Sequence, residues 1–197
     1  DLLNAKLNNP LNIPSAGRFM AEAHLGVISR EAEKLPNIKD AMIRMMQELP
    51  EEAIQKSQYQ LFESYVDTLP DGANICHLDF HPGNIMLEGD DYQVIDWAEV
   101  VKGAPEADVA MTCLILAMAE TSPGTSLLLK ILIPIFRKLF ERTYRKSLLA
   151  SAKSITEDKI RKWLLATAII RMGLWHLESE KEFLSGLIQS ELTILSR

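Results

Sequence analysis

The sequence predicts a mainly α-helical domain interrupted once, near its middle, by a small β-hairpin. Apolar residues recur at helical spacing along most of the 197 residues. That period disappears between Asn74 and Val101, where two short apolar runs flank a turn containing Gly89. A hydrophobic content of 47% over this length is enough to bury a core, and 1–197 is read as one globular unit.

The helices follow in order. After Pro14, Ser15 is placed to cap a helix carrying Phe19, Ala23 and Val27 at helical spacing. Ile38 to Leu49 forms a second, with Met42, Met45 and Met46 as core filler, and Pro50 stops it. A third sets Ile54, Leu61, Phe62, Tyr65, Val66 and Leu69 opposite Glu63 and Asp67, ending at Pro70-Asp71-Gly72. Ile85-Met86-Leu87 and Tyr92-Gln93-Val94-Ile95, around Glu88-Gly89-Asp90-Asp91, make the hairpin. Helix resumes at Pro105 and runs buried through Ala119 until Pro123-Gly124 breaks it. A long segment from Thr125 to Ala150 is expected to kink near Pro134. Thr156 caps a helix bearing Ile160, Trp163, Leu164, Thr167, Ala168, Met172 and Trp175 as one stripe, and Lys181 to Leu195 forms the last.

Composition narrows the function classes. Lys and Arg total 21 against 27 Asp and Glu, a net charge of −6, which repels polyanions and speaks against nucleic acid as a partner. The balance tilts weakly toward a cationic substrate. Cys76 and Cys113 stand far apart with no Cys-x-x-Cys pair, which suggests neither a disulfide framework nor a thiolate zinc site and fits a reducing cytoplasm. The longest apolar run, Val109 to Ala119, falls short of the roughly 20 residues a membrane span needs.

Polar residues concentrate where helical regularity is lost, in Cys76-His77-Leu78-Asp79-Phe80-His81-Pro82-Gly83-Asn84, then the hairpin, then Val94-Ile95-Asp96-Trp97. Pro82 and Gly83 impose a tight turn between Asp79 and Asn84, and the hairpin returns Asp96 beside it. Phosphoryl transfer needs an acceptor hydroxyl held in line and metal ions that neutralise phosphate charge. In protein kinases an Asp takes the hydroxyl proton, an Asn a few residues on holds one Mg²⁺, and an Asp beyond the next hairpin holds the other. Asp79, Asn84 and Asp96 have that order and spacing.

His77-x-Asp79-x-His81-Pro82-Gly83-Asn84 with Ile95-Asp96-Trp97 resembles the signature of the aminoglycoside phosphotransferase and choline kinase family. Gly103-Ala104-Pro105-Glu106-Ala107-Asp108-Val109-Ala110 is similar to that family's Gly-x-Pro-x-x-Asp segment. The resemblance implies the helical carboxy-terminal lobe of a protein-kinase-like fold, with ATP as co-substrate, Mg²⁺ as cofactor and a small-molecule hydroxyl as acceptor. It implies Asp79 as catalytic base, Asn84 and Asp96 as magnesium and nucleotide ligands, His77 as a brace of the catalytic loop and Asp108 as its backbone anchor. His81 is expected to support the loop. A complete member carries a β-rich amino-terminal lobe with a phosphate-covering loop and a Lys; nothing before Leu11 supplies it, so the chain alone is expected not to turn over ATP.

Other readings stand beside this one. His77, Asp79 and His81 share a face of an extended strand and suit zinc, as in a metal-dependent hydrolase, although Pro82-Gly83 and the absence of further nearby His ligands argue against it. A degenerate kinase-like binding module is a third. His24 reads as a packed core histidine, and His176 as a favourable charge at a helix end. Trp163 and Trp175 read as core rather than as cation–π contacts for a charged acceptor.

Overall fold

The computed structural model describes residues 1–89, 91–118, 127–175 and 178–197, at 127–131 the backbone alone. Among them the helices are α1 (Leu3–Lys6), α2 (Ile13–Ile28), α3 (Ile38–Glu48), α4 (Tyr59–Thr68), α5 (Pro105–Met118), α6 (Leu127–Ser151), α7 (Glu157–Lys162), α8 (Leu164–Trp175) and α9 (Glu178–Leu195). Four short strands, β1 (Asn74–Cys76), β2 (Ile85–Glu88), β3 (Asp91–Val94) and β4 (Val101–Gly103), sit between α4 and α5. The chain is mostly helical, and no helix among the described residues is long and apolar enough to cross a membrane.

Apolar periodicity accounts for the packing. In α2 the residues Ala16, Met20, Ala23 and Val27 are buried, and the helix packs along α6 with Gly17 against Thr143 and His24 bonded to Tyr144. α8 is apolar over most of its surface because it is enclosed by α3, α5 and α9. Met42 and Met46 are fully buried, Met45 partly so, and Trp163 is wholly inside the core.

The strands make two separate antiparallel ribbons. The hairpin pairs Ile85 with Val94 and Glu88 with Asp91, its reversal made possible by Gly89 at φ +62°. The second ribbon, β1 with β4, pairs Asn74 with Gly103 and Cys76 with Val101, in addition to the one hairpin expected from the sequence. Ahead of α1, Leu2 bridges Met86, and Asp1 exchanges backbone hydrogen bonds with Leu87 at 2.6 and 3.0 Å, so this segment borders β2.

Other boundaries differ for physical reasons. Ser15 does not cap α2: the helix begins at Ile13 with Pro14 in its first turn, and the Ser15 hydroxyl donates instead to the Asn12 carbonyl. Ile54 lies outside α4, which is preceded by a 3₁₀ turn at Lys56–Gln58, yet it is fully buried. The stripe expected to run unbroken from Ile160 to Trp175 is split at Trp163, whose backbone leaves helix at φ −90°, ψ −5°. Thr156 does cap α7, its hydroxyl accepting from Lys159 N–H. α6 continues as helix through Pro134. The break expected at Pro123-Gly124 and the role of His176 fall outside the described residues.

Candidate active site

The loop between β1 and the Pro82–Asn84 3₁₀ turn is shaped by backbone geometry that ordinary residues resist. Leu78 stands at φ +63°, a left-handed conformation that costs an L-residue about 1–2 kcal/mol. Asp108, in the first turn of α5 and fully buried, holds it there. Its Oδ1 accepts from Leu78 N–H at 2.7 Å, and its Oδ2 from His77 N–H at 2.8 Å and His24 Nε2 at 3.0 Å. Burial pushes the Asp108 carboxyl upward, but the His24 contact and the two backbone donors outweigh it and hold the group below the usual carboxylate range. The position near a helix amino terminus favours the same charge.

His24 is a packed histidine, stacked on Phe80 at 4.1 Å between centroids, and it also fastens Asp108. Its Nδ1 lies 2.6 Å from the Tyr144 hydroxyl, which ties α2, α5 and α6 together behind the loop.

His77 uses both ring nitrogens. A carbonyl only accepts, so the 3.0 Å contact to Ile95 O places the proton on Nε2, leaving Nδ1 to accept from Asp79 N–H at 3.3 Å. Burial lowers its pKa, against the pull of Asp108 and Ile95, and keeps the ring neutral. A zinc cluster of His77, Asp79 and His81 would have to break one of these bonds, and among the described residues no group of three His, Cys, Asp or Glu is arranged to hold a metal.

Asp79 is held from three sides. Asn84 Nδ2 donates at 2.9 Å both to Asp79 Oδ2 and to the Asp79 carbonyl. His81 accepts Gly83 N–H at its Nδ1, which leaves Nε2 as donor, 3.4 Å from Asp79 Oδ2. Arg171 Nη1 stands 3.4 Å from Oδ1. Burial raises the Asp79 carboxyl, but His81, Arg171 and Asn84 together lower it below the ordinary value, so it is ionised at neutral pH.

Asp96 is brought to this loop through the backbone. Asn84 O accepts from Ile95 N–H at 3.0 Å, extending the hairpin register past Ile85 and Val94, while Ile95 O accepts from His77. The next residue, Asp96, turns at φ +64° with its side chain exposed. Trp97 Nε1 closes the turn by donating to Val94 O at 2.8 Å. Thus His77, Asp79, His81, Asn84 and Asp108 are joined by direct bonds, and Asp96 by the strand that ends beside Asn84.

Sequence reasoning missed Arg171 and Glu180. Arg171, buried in α8, makes a two-pronged contact with Glu180 of α9 at 2.8 and 2.9 Å and lies 4.4 Å over the Trp175 ring. The available signal was its isolation: it is the one charged residue in Leu164–Trp175, and a buried arginine requires a partner. Asp79, His81, Arg171 and Glu180 line a cavity of about 480 Å³ that is walled by apolar residues. This volume is within the roughly 300–1,000 Å³ of small-molecule sites.

An acid fixed in a loop, an amide hydrogen-bonded to it and a second acid at the foot of the following hairpin are the parts that phosphoryl transfer employs. The sequence profile of the phosphotransferase enzyme family matches residues 15–144, more than half of the chain, and the chain belongs to that family. No curated protein matches it.

Proposed function

We propose that this chain is the helical carboxy-terminal lobe of a protein-kinase-like enzyme that transfers the γ-phosphoryl group of ATP to a hydroxyl of a small molecule. The observation that carries the reading is Asp79: an ionised carboxylate, oriented by Asn84, His81 and Arg171, on the wall of a cavity of small-molecule size. Asp79 orients the acceptor hydroxyl and receives its proton. His77 and Asp108 keep the backbone of Leu78 and Asp79 in place, and the Arg171–Glu180 pair fixes the far side of the carboxylate.

The donor set fits Mg²⁺. That ion takes oxygen ligands, commonly one or two from protein and the rest from phosphates and water. Asn84 commits its nitrogen to Asp79 and so presents its carboxamide oxygen, and Asp96 offers an exposed carboxylate. Held by Asn84 and Asp96, the ion would supply positive charge to offset that of the phosphates. A β-rich amino-terminal lobe that covers the nucleotide completes the site, in a cytoplasmic protein.

Phosphoryl transfer by the polypeptide that includes that lobe tests the reading. Asp79→Asn keeps the bond from Asn84 but cannot take a proton, and the rate is expected to fall by about 10²–10⁴-fold with an unchanged circular dichroism spectrum. A rate near that of the wild type removes Asp79 from the role of base.

A further inference from the structure

Helix α6 is charged unlike the rest of the chain. Leu127–Ser151 carries six basic residues and one acidic, whereas the remainder has 15 basic against 26 acidic. Ile135, Lys138, Leu139, Arg142 and Lys146 recur at i, i+3, i+4, i+7 and i+11, a spacing that gathers them within a sector of about 100° on the helix surface. All five are exposed, Ile135 at 58% and Leu139 at 42%, while Phe140, Tyr144 and Leu148 on the other side are buried. The side chains of Lys138, Arg142 and Lys146 form no hydrogen bond or ion pair with any described residue. The helix's one carboxylate, Glu141, is partly buried and paired with Arg145 at 3.2 Å. Exposed Phe183 of α9 lines a groove with Lys138 and carries the apolar part of this surface beyond α6.

We propose that this face of α6 is a peripheral membrane contact, at which Lys138, Arg142 and Lys146 meet the phosphates of an anionic lipid surface and Ile135 and Leu139 enter the boundary between headgroups and acyl chains. A basic amphipathic helix that lies in the plane of a membrane has this composition. Three cations alone would serve a nucleic acid equally; the isoleucine and leucine set among them favour a surface with an apolar layer beneath its phosphates. The acidic remainder of the chain does not prevent the contact, because at physiological salt charges are screened beyond about 8 Å and the groups that touch the lipid decide. No span is implied, since the other side of α6 stays packed on α2. That inner side contributes Ile133, Phe136 and Phe140 to the cavity beside Asp79, so lipid bound here lies about one helix diameter, ~10 Å, from that cavity.

Co-sedimentation of the 197-residue chain with phosphatidylcholine vesicles, with and without about one third phosphatidylserine, tests the proposal. Binding is expected to the anionic vesicles and to weaken by at least about five-fold between about 0.1 and 0.5 M NaCl. Lys138→Gln combined with Arg142→Gln is expected to weaken it by at least about ten-fold, and Leu139→Ser by at least about three-fold, with unaltered circular dichroism spectra. No binding to anionic vesicles, equal binding to neutral ones, or binding that survives the double substitution overturns the proposal, as does tighter binding to a DNA duplex in the same buffer. Binding by the chain that is lost in the polypeptide including the amino-terminal lobe overturns it too, and assigns the face to that lobe. If a variant does not fold, the lipid and salt dependence of the wild-type chain still decides. Neither nucleotide nor acceptor is present, so the result stands or falls separately from phosphoryl transfer.

Discussion

Replacing Asp108 by Asn preserves shape while removing one acceptor, and the outcome can be worked through bond by bond. The carboxylate accepts from Leu78 N–H through Oδ1, and from His77 N–H and His24 through Oδ2. A carboxamide has a single oxygen. With that oxygen at the Oδ2 position, the NH₂ group confronts Leu78 N–H. With it at the Oδ1 position, the NH₂ group confronts His77 N–H, even if His24 changes tautomer and accepts from it. Every arrangement leaves at least one buried donor unsatisfied, which costs about 1–3 kcal/mol. The left-handed strain at Leu78 is about 1–2 kcal/mol, so the lost bond is comparable with what it restrains, and Asp79 is displaced. For a chain of this size each kcal/mol moves the melting temperature by about 2–4 °C, which gives a fall of about 2–12 °C. Urea unfolding followed by circular dichroism is the assay, with a lower midpoint and unchanged slope expected. A loss below about 0.5 kcal/mol refutes the claim that Asp108 holds this loop.

Two further perturbations probe the frame. The pKa of His77 is lowered in the native state, so between that value and the ordinary one of about 6.5 the unfolded chain binds a proton that the native chain refuses. Stability contributed by neutral His77 is therefore complete above about pH 6.5 and is lost as the pH falls below it; the melting temperature should drop between about pH 7 and 5, and His77→Gln should flatten that slope. A melting curve with the same pH dependence in both proteins contradicts the assignment. Gly72→Ala places a Cβ against the backbone of Gly103 and Ala104, which cannot rotate away, and a destabilisation of about 1–3 kcal/mol by urea titration is expected. Wild-type stability in that variant shows the approach to be looser.

The hairpin and its flanking polar residues were legible because their signals are local. Gly89 marks the turn, and the Pro82-Gly83 step between them confines Asp79 and Asn84 to one bend. The β1–β4 ribbon left no such mark: each strand has three residues, and they meet across a long intervening segment without an alternating pattern. The break at Trp163 left no mark because apolar spacing continues through it, with the indole fully buried at that point. Ser15 looked like a cap because Pro14 precedes it, whereas Pro is equally at home inside a first turn. His24 was legible as a packed residue but not as a partner of Asp108, since 84 positions separate them. Arg171 and Glu180 belong to different helices, and only the fold joins them to Asp79.

The proposed role of Asn84 and Asp96 as metal ligands is tested most directly by metal binding alone. Titration of Mn²⁺ into the chain, followed by loss of the free-ion electron paramagnetic resonance signal, should show a bound ion that disappears in both Asn84→Ala and Asp96→Ala. Mn²⁺ binding that is indifferent to both substitutions would contradict the account.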